Sequence, residues 1–256
     1  MGVILLHKKL YPITDTIKTH DSEREVFFIM YDIIKRYDSV SDEIIHAFQD
    51  VHESASVNEC LKKNGALTHD FRPVWPGTHA VGRAFTVQAR PGDNLILQKA
   101  LTMLSPLDFV IVTCDGFQEA GGMWGGIMSN AAQVQGASGL VIDGCVRDTM
   151  MMQRIGFPVW SRGISVKRST KRTPGTINHP IVIGNVYVEP GDLVVADNDA
   201  VVIVPKADAE EVLQKVLERE RSEEETLKHV RQDGSYLFAR YGFDKMYAEL
   251  GLTEEP

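Results

Sequence analysis

Two apolar runs rich in β-branched residues, "DFVIVTCDG" (108–116) and "GLVIDGCV" (139–146), constrain the fold more than any other feature. Each is long enough for one strand, and neither alternates apolar with polar side chains. A strand of that texture is covered on both faces, as happens where helices flank a parallel sheet. Helical stretches stand around them: 95–104 behind the turn "PGDN" (91–94), about 127–136, and 148–155. Further strands are expected at "HAVGRAFTVQA" (79–89) and "FPVWSRG" (157–163). This alternation predicts an α/β fold. Residues 181–204 read as three short strands joined by turns at "EPGD" and "DNDA", so the sheet is expected to be mixed.

The flanks differ in texture. Residues 22–50 carry apolar residues at helical spacing, with Val26, Phe27, Met30, Ile33 and Ile34 on one stripe, and Ser41-Asp42-Glu43 reads as a helix start. A short helix is expected over 54–64 and a long charged one over 206–231. The expected organisation is a helical extension over 1–53, a core over 54–205, and a C-terminal helix and tail over 206–256, packing on the core or on a neighbouring subunit.

Composition narrows the function classes. Apolar residues make up 43% of the 256, enough for a sizeable core, and the net charge of −8 disfavours a general nucleic-acid or anionic-membrane binder. Cys60, Cys114 and Cys145 are odd in number and widely spaced, which fits a reducing cytoplasm better than a disulfide framework. No apolar run approaches the roughly 18 residues that span a bilayer.

The chemistry converges on "GGMWGGIMSN" (121–130) and on Arg147-Asp148. Ligands in open α/β folds sit at the carboxyl ends of strands. One strand is expected to end at Asp115-Gly116, just before the glycine loop, and the other at Arg147-Asp148. Gly125 and Gly126 precede a helix, whose unpaired N–H groups and positive end suit an anion. Arg147 offers a planar fork for a carboxylate. Asp148 offers one hard oxygen, suited to magnesium or manganese that keeps several waters. The set suits a small α-keto acid chelating a divalent ion. The loop matches neither the dinucleotide fingerprint nor the P-loop.

On these pieces the chain resembles the RraA-like family, which includes 4-hydroxy-4-methyl-2-oxoglutarate aldolases, oxaloacetate decarboxylases and the regulator of ribonuclease activity A. The resemblance rests on "RPVWPGTHAVGRAFTV" (72–87), "PGDN" (91–94), "WGGIMSNAAQVQGASGLVIDGCVRD" (124–148), "GFPVWSRG" (156–163) and "EPGDLVVADNDAVVIVP" (189–205). It implies a swivelling β/β/α domain with mixed sheets, assembled as a homotrimer or hexamer with sites between subunits. It implies substrate binding by Gly125, Gly126, Ile127, Met128 and Arg147, and a magnesium or manganese ion on Asp148, with Arg147 and Asp148 as the catalytic pair. The implied activity is a metal-dependent carbon–carbon lyase acting on a pyruvate-containing acid through a metal-stabilised pyruvate enolate, by retro-aldol cleavage or oxaloacetate decarboxylation. The implied alternative is a non-catalytic protein that regulates a ribonuclease or another partner. One departure stands out: aldolase members often carry an acid 21 positions before the arginine, and here that position is Gly126. A vacancy there is expected to widen the pocket. Glu223 of a neighbouring subunit is a candidate replacement acid.

Other residues read more blandly. His79, His179 and His229 are isolated, and "DNDA" (197–200) reads as Asx-turn chemistry rather than a calcium loop. Lys99 is the lysine considered for an alternative Schiff base. The basic stretch 162–175, with Arg162, Lys167, Arg168, Lys171 and Arg172, reads as a mobile, solvated loop near the site.

Overall fold

The computed structural model describes residues 31–51, 53–114, 116–117 and 119–252. Val26, Phe27, Met30 and Asp115 therefore lie outside the described residues. Of the helix expected over 22–50, the described part holds only α1 (Asp42–Gln49), which Ser41 caps by accepting the Ile44 N–H. Residues 32–40 are not helical. Ile33 bridges Ile177, and the Ile34 N–H donates to the Ile177 carbonyl at 3.0 Å, so edge pairing overrides the helical spacing there.

After α1 come α2 (Ser54–Cys60), β1 (Arg72–Pro73), β2 (Ala80–Gln88), α3 (Leu95–Leu101), β3 (Asp108–Thr113), β4 (Gly122–Trp124), α4 (Gly126–Val134), β5 (Gly139–Val146), α5 (Thr149–Ile155) and β6 (Val159–Ile164). Then follow β7 (Thr176–Ile177), β8 (Ile181–Ile183), β9 (Val186–Val188), β10 (Leu193–Ala196), β11 (Val201–Val204), α6 (Ala209–Val230), α7 (Tyr236–Arg240) and α8 (Phe243–Glu249). The principal sheet runs β1-β6-β5-β3-β2-β10-β11, with β4 on β5 and β7 on β2. Strands β2, β3, β5 and β6 are mutually parallel, whereas β1, β7, β10 and β11 run antiparallel to their neighbours, so the sheet is mixed as expected.

Strands β3 and β5, formed from the two β-branched runs, are each buried along their whole length. One face of the sheet packs under α3, α4 and α5, around Leu97, Met128, Ala132 and Met152. The other meets Phe71, Trp160 and the β8–β9 hairpin. A third cluster joins β10 and β11 to α1, α2 and α6 through Phe48, Val57, Val212 and Val216. Residues 181–204 hold four strands rather than three. The extra turn is Gly184-Asn185, with φ of 52° and 65°, the two left-handed residues of a tight hairpin. No helix among the described residues is long and apolar enough to cross a membrane.

The topology positions the site at one place. Strand β5 pairs with β3 only from Gly139 to Ile142, then with β4 at Cys145 and Val146. β4 thus enters between the carboxyl ends of β3 and β5. The first half of the glycine loop, expected to be irregular, is this strand.

Candidate active site

Trp124, at the end of β4, is fully buried. Its indole N–H donates to Ser129 Oγ at 2.9 Å, and that hydroxyl donates to the Gly125 carbonyl at 3.2 Å. The tryptophan between the glycine pairs therefore anchors the loop from the core side. The Arg147 N–H donates to the Trp124 carbonyl at 3.0 Å, so β4 and β5 deliver Gly125 and Arg147 side by side.

Asp148 adopts φ 59° and ψ 38°, a left-handed conformation that aspartate tolerates better than most residues. The turn leads into α5, where the N–H groups of Met151 and Met152 donate to the Asp148 carbonyl. Asp148 Oδ2 accepts the Gly126 N–H at 3.3 Å and lies 4.0 Å from Arg147 Nε, and both side chains stay about half exposed. The Gly126 N–H, expected to be free for a ligand, is thus engaged by the carboxylate. The next N–H groups, of Ile127 and Met128, lie in the first turn of α4, where the N-cap residue Gly125 has no side chain to accept them.

This approach requires glycine. A Cβ on Gly125 would stand 2.9 Å from Asp148 Oδ2, and one on Gly126 would stand 2.4 Å from Met151 Sδ and 2.9 Å from Met151 Cβ. The second contact corrects the sequence reading: the space at Gly126 is filled by Met151 and does not widen the pocket.

Gly125, Ile127, Met128, Arg147 and Asp148 line one cavity of about 230 Å³, joined by Asn94, Gln98 and Leu101 from the α3 region and by Lys171. Gly126 borders it through its bond to Asp148. The sequence reading missed the α3 residues and placed Lys171 only near the site. The signal for them was the "PGDN" turn, which starts α3 beside the loop. The Asn94 amide donates to the Met123 carbonyl at 2.9 Å, and the Gln98 amide meets Met128 Sδ at 3.3 Å. Lys99 points elsewhere, with its amine on Thr102 Oγ1 at 3.3 Å. Glu223 pairs with Arg219 of its own helix at 2.7 Å.

A larger cavity, about 660 Å³, lies against β6 and the β8–β9 hairpin. It holds Arg162, which the sequence reading put in the basic loop. Arg162 also falls in the strand expected over 157–163, which is β6, and it is clasped by Asp143 at 2.8 Å and Asp70 at 2.5 Å. Two carboxylates already neutralise that guanidinium, although its Nε–H has no hydrogen-bond partner among the described residues. The smaller cavity has an accessible arginine and an open helix start, so it is the better place for an anionic ligand despite its size.

The donor set also bears on a metal. Among the described residues no three His, Cys, Asp or Glu side chains gather as a cage. Among the described residues Asp148 is the one carboxylate lining the cavity, and one carboxylate fits magnesium or manganese, which retain waters.

The RraA-like pattern, described as Aldolase/RraA, matches residues 39–203. The chain belongs to the RraA-like family. A protein of Halalkalibacterium halodurans named putative 4-hydroxy-4-methyl-2-oxoglutarate aldolase is 36% identical over 168 residues, spanning 66% of this chain and 80% of that one. An uncharacterized protein of Methanocaldococcus jannaschii is 30% identical over 183 residues, 70% of this chain and 88% of the other. Among solved structures, an uncharacterized protein from Pseudomonas syringae pv. tomato superposes with a TM-score of 0.72 at 27% identity, over 81% of this chain and 97% of that one. Streptomyces coelicolor RraAS2, described as an unusual member of the RNase ES inhibitor RraA family, gives 0.68 at 25% identity, over 75% and 98%. The RraA-like fold, with its mixed sheet and flanking helices, is the one observed.

Proposed function

We propose that this RraA-like protein is a divalent-metal-dependent carbon–carbon lyase that releases pyruvate from a larger keto acid, by retro-aldol cleavage of the 4-hydroxy-4-methyl-2-oxoglutarate type or by decarboxylation of oxaloacetate. The observation that carries this reading is the meeting of Arg147, Asp148 and the Ile127 and Met128 end of α4 in one small cavity. The aldolase names of relatives such as that of Halalkalibacterium halodurans support the reaction class.

Each group has a role that its position allows. The Arg147 fork binds the carboxylate next to the keto group and offsets negative charge as the bond breaks. The Ile127 and Met128 N–H groups and the positive end of α4 add to that field. Asp148 would hold the ion, pre-oriented by the Gly126 N–H. A magnesium or manganese ion there supplies Lewis-acid polarisation of the keto oxygen. Met128 and Leu101 give the cavity an apolar wall beside these polar groups.

The rival reading is a non-catalytic regulator of a partner such as a ribonuclease. Gly126, standing where aldolase members carry an acid, favours it, as does the description of RraAS2. Pyruvate release from oxaloacetate and from 4-hydroxy-4-methyl-2-oxoglutarate, each measured with magnesium and with a chelator, with and without protein, separates the two. The lyase reading expects magnesium-dependent release well above the uncatalysed rate. Equal rates with and without protein would overturn it.

A further inference from the structure

The basic stretch 162–175, expected as a mobile, solvated loop, is tied down instead. Lys167 pairs with Glu119 at 2.9 Å, and the buried Asp93 accepts the Thr170 hydroxyl at 2.6 Å and the Arg172 N–H at 2.7 Å. A different cluster of cations stands at the amino end of β3, where Arg83 pairs in register with Asp108. This is the opposite end of the strand from the glycine loop. There Lys35, Arg36 and Arg83 line a cavity of about 640 Å³.

The charges of this cavity are unevenly matched. Its two carboxylates both face Arg83: Asp42 pairs with Nη2, and Asp108 lies 3.7 Å from Nε. Lys35 and Arg36 are exposed, and no carboxylate among the described residues pairs with either. An anion is therefore favoured here, on a chain whose net charge is −8. A lysine beside an arginine fork suits a phosphate, which takes up both a point charge and paired N–H donors.

Two buried polar atoms on the same cavity lack a partner among the described residues, Arg83 Nε and Asn178 Oδ1. Asn178 is 2% exposed, with a left-handed φ of 58°. Its N–H donates to the Thr86 carbonyl at 2.8 Å and its Nδ2 to the Ile34 carbonyl at 2.9 Å. The second bond decides which end of the amide is left over: it is the oxygen, which can only accept. A buried acceptor left unmet is destabilising, so a ligand N–H that meets it is bound with advantage. Phe85, Met103 and Pro106 supply an apolar wall between these polar groups. At roughly 30 Å³ per water, 640 Å³ corresponds to about twenty waters, the scale of a nucleotide rather than of a bare anion.

We propose that this cavity is a second ligand site, one that takes a nucleoside monophosphate. The phosphate sits on Lys35 and Arg36, the base lies against Phe85, Met103 and Pro106, and an N–H of the base donates to Asn178 Oδ1. Lys35 and Arg36 precede the stretch 39–203 that matches the RraA-like pattern, so the phosphate end is built by this chain's own N-terminal side. The site stands apart from the keto-acid cavity and does not depend on that reading.

Calorimetric titration of the full chain with AMP, GMP, CMP, UMP and ribose 5-phosphate tests it. Ribose 5-phosphate keeps the sugar and the phosphate and lacks the base. At least one nucleotide is expected to bind about tenfold or more tighter than ribose 5-phosphate. Replacing both cations, Lys35→Gln with Arg36→Gln, is expected to weaken that nucleotide by about tenfold or more at an unchanged melting temperature. Asn178→Gly keeps the left-handed backbone and removes Oδ1, and should bring the nucleotide toward the affinity of ribose 5-phosphate. Arg147→Ala should leave nucleotide binding unchanged. The proposal is overturned if no nucleotide binds the wild-type protein, or if ribose 5-phosphate binds as tightly as the best nucleotide. It is also overturned if the double variant keeps full affinity, if an Asn178→Gly protein that melts like wild type binds the nucleotide unchanged, or if Arg147→Ala abolishes binding.

Discussion

Met151 changes what Gly126 means. Read from sequence, the glycine was a missing acid and an enlarged pocket. In the fold its Cβ direction points into the Met151 side chain. Gly126→Asp is therefore expected to overpack the site, at a cost of about 1–3 kcal/mol, with a lower melting temperature and no gain in oxaloacetate decarboxylation. Adding Met151→Ala should restore the melting temperature. A stable, faster Gly126→Asp single variant would refute the contact. Arg147→Lys keeps the charge and loses the fork, so oxalate binding should weaken by about tenfold or more while the circular dichroism spectrum is unchanged. Unaltered binding would make Arg147 structural. Arg147 and Asp148 were legible because two charged residues end an otherwise apolar strand. Met151 and Lys171 were not, because they reach the site from segments whose approach only the packing sets.

At the level of elements, β3 and β5 were legible from their apolar runs, and the β8–β9 hairpin was available in Gly184-Asn185 but overlooked. The helical stripe over 22–50 misled across 32–40, since periodicity does not report an open strand edge such as β7. The start of β3 carries a testable cost. Asp108 is buried, accepts the Ser105 N–H at 2.7 Å, and lies 3.7 Å from Arg83 Nε, too far for a hydrogen bond. Burial pushes its carboxyl up to about 6, against the bonding to Ser105 and the charge of Arg83. The folded chain then holds this proton at pH values where the unfolded chain has released it. Asp108 therefore disfavours folding progressively as pH rises from about 4 to about 6. Asp108→Asn removes that dependence. The variant should gain stability relative to wild type between pH 4.5 and 7 by about 2–3 kcal/mol, measured by urea unfolding. A difference constant across that range would show that Asp108 titrates normally.

For the whole molecule, the resemblance gave the fold class, and the mixed sheet agrees with it. Assembly is a proposal. Ile127, Met150, Ile164 and Val166 are each more than 60% exposed. Ile127 lines the cavity, and Ile164 pairs in register with Val146, next to Arg147. Large apolar side chains grouped around a binding site are better explained by a covering subunit than by solvent. We propose a homotrimer with its sites at the interfaces, and light scattering should give a multiple of three chains. An active monomer would contradict it. The central claim, that the glycine loop and Arg147-Asp148 form one keto-acid site, is tested most directly by a crystal structure with manganese and oxalate, a mimic of the pyruvate enolate. Manganese is expected within about 2.2 Å of an Asp148 oxygen, with an oxalate carboxylate on the Arg147 fork. Oxalate seated instead in the larger cavity at Asp143 and Arg162, with Asp148 unliganded, would contradict it.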